Sequence, residues 1–135
     1  MSDERLLERW NACGYYRLVG MRVERADATG SEFAVTIGEQ HLQAYGTAHG
    51  GVLAGLVDAA MGLAILGGVP DGEGCATIEM KLNFLAPARP GRLRAKGRVV
   101  QQGKRIVVAW GEVDDAQGRT VACGMGTFRR IPPES

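Results

Sequence analysis

The sequence predicts an α+β fold in which an antiparallel sheet of five to six strands wraps around one long central helix. An apolar run between Ala44 and Pro70 shows no polar face at the 3.6-residue period of a helix, which is typical of a helix enclosed on all sides. Segments with strand-like alternation lie on both sides of this run. Short turns rich in Gly, Pro and Asp separate those segments, and such turns join antiparallel strands.

The chain is long enough for one domain and too short for two. Its 135 residues, 45% of them hydrophobic, can bury one core, so we expect a single domain over residues 1–135. The three cysteines, Cys13, Cys75 and Cys123, have neither metal-ligand nor CxxC spacing, and no export signal follows Met1. These features predict a cytoplasmic protein with structural thiols and no metal site.

The first third of the chain predicts a helix, a hairpin and a loop. The helix is amphipathic, with Ser2 or Asp3 as its cap and Gly14 at its end. Alternating residues predict two strands around a tight turn, and the aperiodic stretch after them is a loop of the kind that often lines a site. The expected elements are a helix over residues 3–16, strands at Leu18–Ala26 and Ser31–Gly38, and a loop over residues 39–48.

The central helix is predicted over about residues 50–67, and it carries one carboxylate, Asp58. The apolar run is almost long enough to cross a membrane. Its Gly and Ala content, Asp58 and the lack of flanking Lys or Arg favour a helix buried in protein instead. An ionised carboxylate in apolar surroundings is costly unless it is paired or lies in a cleft, so Asp58 is the first candidate for chemistry.

Strand patterns fill the rest of the chain. Four strands follow the helix at regular spacing, and the short turns between them predict that neighbours in sequence are neighbours in the sheet. An antiparallel sheet curled around one helix is the hotdog arrangement, which explains why this helix has no wet face. The predicted strands are Cys75–Ala86, Gly91–Gln102, Lys104–Asp115 and Thr120–Arg130.

A candidate site follows from the start of the helix and from Asp58. The backbone amides of Gly50 and Gly51 have no intrahelical acceptor and lie at the positive end of the helix dipole, where they can polarise a thioester carbonyl. Asp58 lies eight residues later, about 12 Å along the axis, so one carbonyl cannot easily contact both. We therefore expect an obligate dimer in which the helix start of one subunit faces Asp58 of its two-fold partner.

Other residues offer weaker sites. His49 is either a general base or, as is commoner before a helix, a residue that shapes the turn, and His41 is interpreted as structural or exposed. The sequence contains no Ser–His–Asp arrangement, no nucleophile elbow, no GxGxxG and no P-loop, so we expect neither a serine hydrolase nor a nucleotide cofactor. Six aromatic residues are candidates either for an acyl pocket or for core packing: Trp10, Tyr15, Tyr16, Tyr45, Phe84 and Trp110.

The motif around the helix start resembles a known enzyme family. His49-Gly50-Gly51, followed after six residues by Asp58-Ala59-Ala60-Met61-Gly62, is similar to the PaaI-type branch of hotdog-fold acyl-CoA thioesterases, which includes 4-hydroxybenzoyl-CoA thioesterases of the Arthrobacter type. The resemblance covers about Gly20 to Arg130. Its further motifs are Thr77 to Pro87, Gly91, Gln102-Gly103-Lys104 and Gly126-Thr127-Phe128.

The resemblance implies a role for each matching residue. Asp58 falls on the catalytic carboxylate, which acts as nucleophile or as general base on water, and Gly50 falls on the amide that polarises the carbonyl. Gln43 matches a side chain that orients the carbonyl or the water, with His49 beside it. Thr77 matches a hydroxyl that holds the water, whereas Gly62 departs from relatives that have Ser or Thr there. The resemblance also implies a homotetramer of two hotdog dimers, with no cofactor.

The charge pattern favours an anionic ligand in the second half of the chain. Residues 1–74 carry five basic and ten acidic side chains, whereas residues 75–135 carry eleven basic and five acidic ones. Seven Lys or Arg and no acid lie between Arg89 and Arg105, and four of them alternate onto one strand face. This face is either a solvated outer surface or, with Gly51, Gly103, Lys104 and Arg105, part of a site for the phosphates of coenzyme A.

We therefore predict an acyl-CoA thioesterase that binds neither nucleic acid nor membrane. Nucleic acid is disfavoured because the basic stretch lacks interleaved aromatic residues and the net charge is +1. A hotdog enoyl-CoA hydratase or dehydratase is an alternative, since one fold hosts several chemistries. A non-catalytic acyl-CoA sensor is another, although no stretch is spare for an effector module.

Overall fold

Six antiparallel strands form one sheet around a central helix in this computed structural model, which describes residues 4–134. The helices are α1 (Glu4–Asn11), α2 (Gly14–Val19) and α3 (Gly50–Leu66), with one short 3-10 turn at Glu39–His41. The strands are β1 (Arg22–Asp27), β2 (Gly30–Ile37), β3 (Gly74–Phe84), β4 (Gly91–Gln102), β5 (Ile106–Asp114) and β6 (Thr120–Ile131). Their order in the sheet is β1-β2-β4-β5-β6-β3.

The helix α3 contacts all six strands and fills the inside of the sheet. Most of its residues are buried, which confirms the prediction of a helix wrapped by the sheet, whereas the face that carries Asp58 is only half-buried. The strands supply the surrounding apolar layer from alternate residues, as in β4, where Leu93 and Ala95 are buried and their neighbours are exposed. No helix within residues 4–134 combines the length and the hydropathy needed to cross a membrane.

Glycines of the sheet allow the backbone of α3 to lie very close to β4. A Cβ added at Gly97 would lie 2.0 Å from the Ala60 carbonyl oxygen, which also accepts a hydrogen bond from the buried hydroxyl of Ser31. Because the atom that this Cβ would meet is a backbone oxygen, rotating a side chain cannot relieve the contact. The distance between helix and sheet therefore depends on the missing side chain at Gly97.

Replacing Gly97 with alanine is expected to lower the free energy of unfolding by about 3 kcal/mol, because the added methyl group forces α3 away from β4. Urea unfolding measured by circular dichroism tests this value. Gly14→Ala is the matched control, since a Cβ at Gly14 would have no neighbouring atom within 4 Å and should change stability little. Equal stability of the two variants would contradict the close helix–sheet contact.

The N-terminal segment differs from its prediction. The single helix predicted over residues 3–16 is two helices, because the chain breaks after Asn11, whose side chain exchanges two hydrogen bonds with the backbone of Val23. Gly14 begins α2 rather than ending a helix, and Gly20, with φ of 81°, follows its last turn. The strand predicted from Leu18 therefore begins only at Arg22, while the caps expected at Ser2 or Asp3 lie outside the described residues.

The predicted pairing of β3 with β4 is wrong. Strand β3 pairs with β6 at one edge of the sheet, and β4 pairs with β2, on the far side of β5. The link between β3 and β4 does not fold back as a hairpin, because its backbone is bonded elsewhere: the Ala88 carbonyl accepts from the Ala48 amide, and the Leu85 amide donates to the Val121 carbonyl. The hairpins β1–β2, β4–β5 and β5–β6 are confirmed.

Candidate active site

Asp58 faces a cavity of about 390 Å³ between α3, the two N-terminal helices and β3. It is half-buried, so the carboxylate lies in a cleft rather than in closed interior. Three glycines of α3, Gly51, Gly55 and Gly62, lie on the same face of the helix as Asp58 and line the cavity with it. The other lining residues, from α3 and from the surrounding elements, are Trp10, Cys13, Tyr15, Tyr16, Met21, Ala54, Ala59, Leu63, Leu66, Cys75, Thr77, Met80 and Phe128.

The carboxylate of Asp58 is held by one hydrogen bond. The hydroxyl of Thr77 on β3 donates to Asp58 Oδ1 at 2.7 Å. A bulge in β3 between Thr77 and Glu79 shifts the register against β6 just at this point. Among residues 4–134 no hydrogen-bond donor contacts Asp58 Oδ2. One oxygen is therefore oriented by the protein, and the other is free for a water molecule or a substrate.

Two further polar groups in this cavity stay neutral at physiological pH. Burial, and secondarily the negative charge of Asp58, raise the pKa of the Cys75 thiol to about 11. Burial likewise raises the pKa of Tyr16 above its ordinary value, with smaller effects from Cys13, Asp58 and Cys75. The Cys75 thiol also donates to the Gly62 carbonyl at 3.7 Å. Cys75 is thus a poor thiolate nucleophile, and Asp58 is the base available in the cavity.

His49 shapes the start of α3. Its Nδ1 accepts a hydrogen bond from the Gly51 amide at 2.8 Å, and its carbonyl accepts from the Val52 amide at 2.9 Å. The first turn of a helix has amides without intrahelical acceptors, and His49 takes two of them. Among residues 4–134 the Gly50 amide has no acceptor, so it is the donor left for a ligand. His41 is buried and bonded to the Gly38 amide, which confirms a structural role.

Gly50 and Gln43 line a second cavity, of about 380 Å³, on the other side of the helix start. The side chain of Gln43 donates to the Thr47 hydroxyl at 2.7 Å and accepts from the Tyr45 amide, so it is fixed within its own loop. The ring of Phe84 covers Gly50 from β3. Within one subunit the predicted site residues therefore lie in two separate cavities. One is lined by Gly51, Asp58 and Thr77, and the other by Gln43 and Gly50.

The predicted phosphate contacts lie in the β4–β5 turn. Gly103 closes this turn by donating to the Ile106 carbonyl at 2.9 Å, and a Cβ there would lie 2.4 Å from that oxygen. Lys104 and Arg105 are exposed, and within residues 4–134 neither side chain has a carboxylate partner. Because β6 alone separates β5 from β3, the turn lies about 10 Å from the strand that carries Thr77.

The basic residues of β4 form an outer face of the sheet. Arg92 and Arg94 lie within 4.0 Å of Glu24, and the Arg98 guanidinium lies 5.9 Å from the centre of the Trp110 ring. These contacts are exposed and weak, as is usual on a solvated strand face. The alternation predicted from the sequence is present, and Arg92, Arg94 and Arg98 contact this chain's own acids or an aromatic ring.

Sequence reasoning found the carboxylate but not most of the walls around it. The Asp58 cavity is lined by three of the six aromatic residues, Trp10, Tyr15 and Tyr16, which agrees with the pocket alternative. Cys13 and Cys75 also lie there, and no sequence motif connects them with Asp58. The position of Cys13 follows from the break between α1 and α2, where Asn11 bonds to Val23, and that of Cys75 follows from the pairing of β3 with β6. Both depend on contacts between residues that are distant in sequence.

Comparisons with known proteins identify the family. The family model of the thioesterase superfamily matches residues 45–122. A "putative esterase" of Halobacterium salinarum is 34% identical over 129 residues, covering 86% of this chain and 83% of the relative.

Solved structures share the fold. A thioesterase from Haemophilus influenzae superimposes with a TM-score of 0.87 at 20% identity, covering 95% of this chain and 89% of that one. The Escherichia coli PaaI protein from the phenylacetic acid degradation operon superimposes with a TM-score of 0.86 at 24% identity, covering 96% and 93%. The chain therefore belongs to the thioesterase superfamily and has its hotdog fold.

Proposed function

We propose that this protein is a cytoplasmic acyl-CoA thioesterase that hydrolyses an aryl- or acyl-coenzyme A to the free acid and coenzyme A. The proposal rests on the position of Asp58, a half-buried carboxylate in a cavity of about 390 Å³. Its Oδ1 accepts a hydrogen bond from Thr77, and its Oδ2 is open to the cavity. Membership of the thioesterase superfamily agrees with this chemistry.

The carboxylate can drive hydrolysis by either of two balanced routes. As a general base, Asp58 takes a proton from water while the water oxygen bonds to the thioester carbon. As a nucleophile, its oxygen bonds to that carbon and forms a mixed anhydride, which water then cleaves. In both routes the carbon–sulfur bond breaks, the sulfur leaves as thiolate, and the acid remains. Both need the Asp58 carboxylate, and both build negative charge on the carbonyl oxygen.

The donor for that negative charge comes from a partner subunit in our proposal. Within one subunit Gly50 and Asp58 line different cavities and lie eight residues apart on α3, about 12 Å along its axis. Strand β3, 11 residues long, is an edge strand that pairs with β6 on one side and with no strand of residues 4–134 on the other. Its residues Ile78 and Phe84 are exposed, and an open edge of this length favours pairing with another chain. A two-fold dimer brings Gly50 and Gln43 of one subunit to Asp58 and Thr77 of the other. Two such dimers form the homotetramer that the family resemblance implies.

The coenzyme A phosphates are assigned to the β4–β5 turn. Lys104 and Arg105 are exposed cations without carboxylate partners among residues 4–134, and Gly103 lets the backbone turn tightly beside them. The amide of Gly51 already donates to His49 Nδ1, so it is not free to contact a phosphate. We therefore place the phosphates on Lys104 and Arg105.

A panel of acyl- and aryl-CoA esters tests the function. Release of free thiol, measured with a thiol reagent, is expected for at least one ester at a kcat/KM of about 10⁴ M⁻¹s⁻¹ or more. The same mixtures are analysed for addition of water to enoyl-CoA. Hydration without thiol release would identify a hydratase, and tight binding of acyl-CoA without any turnover would identify a sensor; either result rejects the thioesterase.

A further inference from the structure

The side chain of Arg130, near the end of β6, connects two separate loops. Its guanidinium forms a forked ion pair with Glu73: Nη2 donates to Oε2 at 2.7 Å and to Oε1 at 2.9 Å, and Nε donates to Oε1 at 3.2 Å. The remaining nitrogen, Nη1, donates to the Gly103 carbonyl at 3.1 Å. Arg130 therefore joins the link between α3 and β3, which holds Glu73, to the β4–β5 turn, which holds Gly103.

This ion pair is shielded from solvent and fixed in place. Only 20% of the Arg130 side chain and 14% of the Glu73 side chain are exposed, whereas Arg94 on the outer face of β4 is 50% exposed. Glu73 is itself part of a turn, since its amide donates to the Pro70 carbonyl at 3.2 Å. A forked arginine–carboxylate pair holds both groups in one geometry. The pair is therefore a rigid support for the turn that Arg130 contacts.

The β4–β5 turn is held to Arg130 through two of its carbonyls. Besides the Gly103 carbonyl, the Arg105 carbonyl accepts from the backbone amide of Arg130 at 2.7 Å. These two carbonyls flank Lys104. Because both bond to β6, the backbone of the turn is fixed while the side chains of Lys104 and Arg105 stay exposed.

We propose that Arg130 is a positioning residue for coenzyme A: supported by Glu73, it holds the β4–β5 turn so that Lys104 and Arg105 are presented to the phosphates. This inference rests on the proposed function, in which those two side chains contact the phosphates. Arg130 acts through the turn, because all three of its guanidinium nitrogens already donate within the chain. A turn that is ordered before the ligand arrives loses less entropy on binding.

The variant Arg130→Lys tests the inference, because it keeps the positive charge and removes the planar fork that holds both Glu73 and Gly103. Titration calorimetry is expected to show coenzyme A bound about tenfold more weakly than by the wild-type protein. The KM for an acyl-CoA should rise by about the same factor, with kcat almost unchanged. The pantetheine thioester of the same acyl group has no phosphates, so its kcat/KM should stay at the wild-type value.

Two further variants and one background define the effect. Glu73→Asp shortens the other half of the pair by one methylene group and should cause the same loss for coenzyme A alone. In protein that already carries Lys104→Ala and Arg105→Ala, adding Arg130→Lys should cause no further loss, because the cations that it positions are gone. Arg119→Lys is the matched control: Arg119 is paired with an aspartate in the exposed β5–β6 turn, and its replacement should leave coenzyme A binding unchanged.

The outcomes separate this inference from the proposed function. Equal losses on the coenzyme A and pantetheine thioesters would show a purely structural role for Arg130 and overturn the inference. Unchanged coenzyme A binding in Arg130→Lys and Glu73→Asp, or no binding to the wild-type protein, would also overturn it. If coenzyme A binding depends on Arg130 but no ester is hydrolysed, the positioning role stands and only the thioesterase function fails.

Discussion

Replacing Asp58 with asparagine is expected to lower kcat/KM for acyl-CoA hydrolysis by about a thousandfold or more. The amide has nearly the same size and can still accept the hydrogen bond of Thr77, so the cavity keeps its shape. It can neither take a proton from water nor attack the thioester carbon, and these are the two steps that require the carboxylate. Steady-state thiol release on the best ester of the panel measures the loss.

Asp71→Asn is the matched control, because Asp71 is an exposed carboxylate in the link between α3 and β3. It should hydrolyse the ester at the wild-type rate. Thermal unfolding of both variants shows whether the fold survives. If Asp58→Asn were folded and retained near-full activity, the catalytic assignment would be rejected.

Replacing Gly50 with proline is expected to lower kcat/KM by about a hundredfold, because it removes the one backbone N–H that we assign to the carbonyl oxygen. Proline suits the first position of a helix, and the extended conformation of His49, with ψ of 139°, suits the residue before a proline. Gly50→Ala is the comparison, since it adds a similar Cβ against Phe84, at 3.3 Å, but keeps the amide. The ratio of the two variants measures the contribution of the N–H group.

Mixing the two inactive proteins tests whether the site is shared. If Gly50 of one subunit serves Asp58 of the other, a mixed dimer of Gly50→Pro and Asp58→Asn subunits has one damaged site and one intact site. Equal amounts unfolded and refolded together should then recover about a quarter of the wild-type activity, since half of the dimers are mixed. No recovery in a mixture that dimerises normally would show that each subunit carries its own complete site.

The local sequence was sufficient to predict the elements that carry strong periodic signals. The enclosed helix α3, its carboxylate and the hairpins β1–β2, β4–β5 and β5–β6 are present where the pattern indicates them. The turn-shaping contact expected of His49 is also local, since it is a hydrogen bond from the amide of Gly51. These features depend on residues close in sequence, because helix caps and tight turns are decided by neighbouring side chains.

Local patterns were enough to predict a long apolar helix, one carboxylate within it and a glycine amide at its start. The neighbours of that carboxylate depend on long-range contacts instead. Pairing of β3 with β6 brings Thr77 and Cys75 to Asp58, and the break after Asn11 brings Tyr16 over the same cavity. Such contacts join residues far apart in the chain, and their energy comes from packing and hydrogen bonds that exist only once the sheet has closed around the helix.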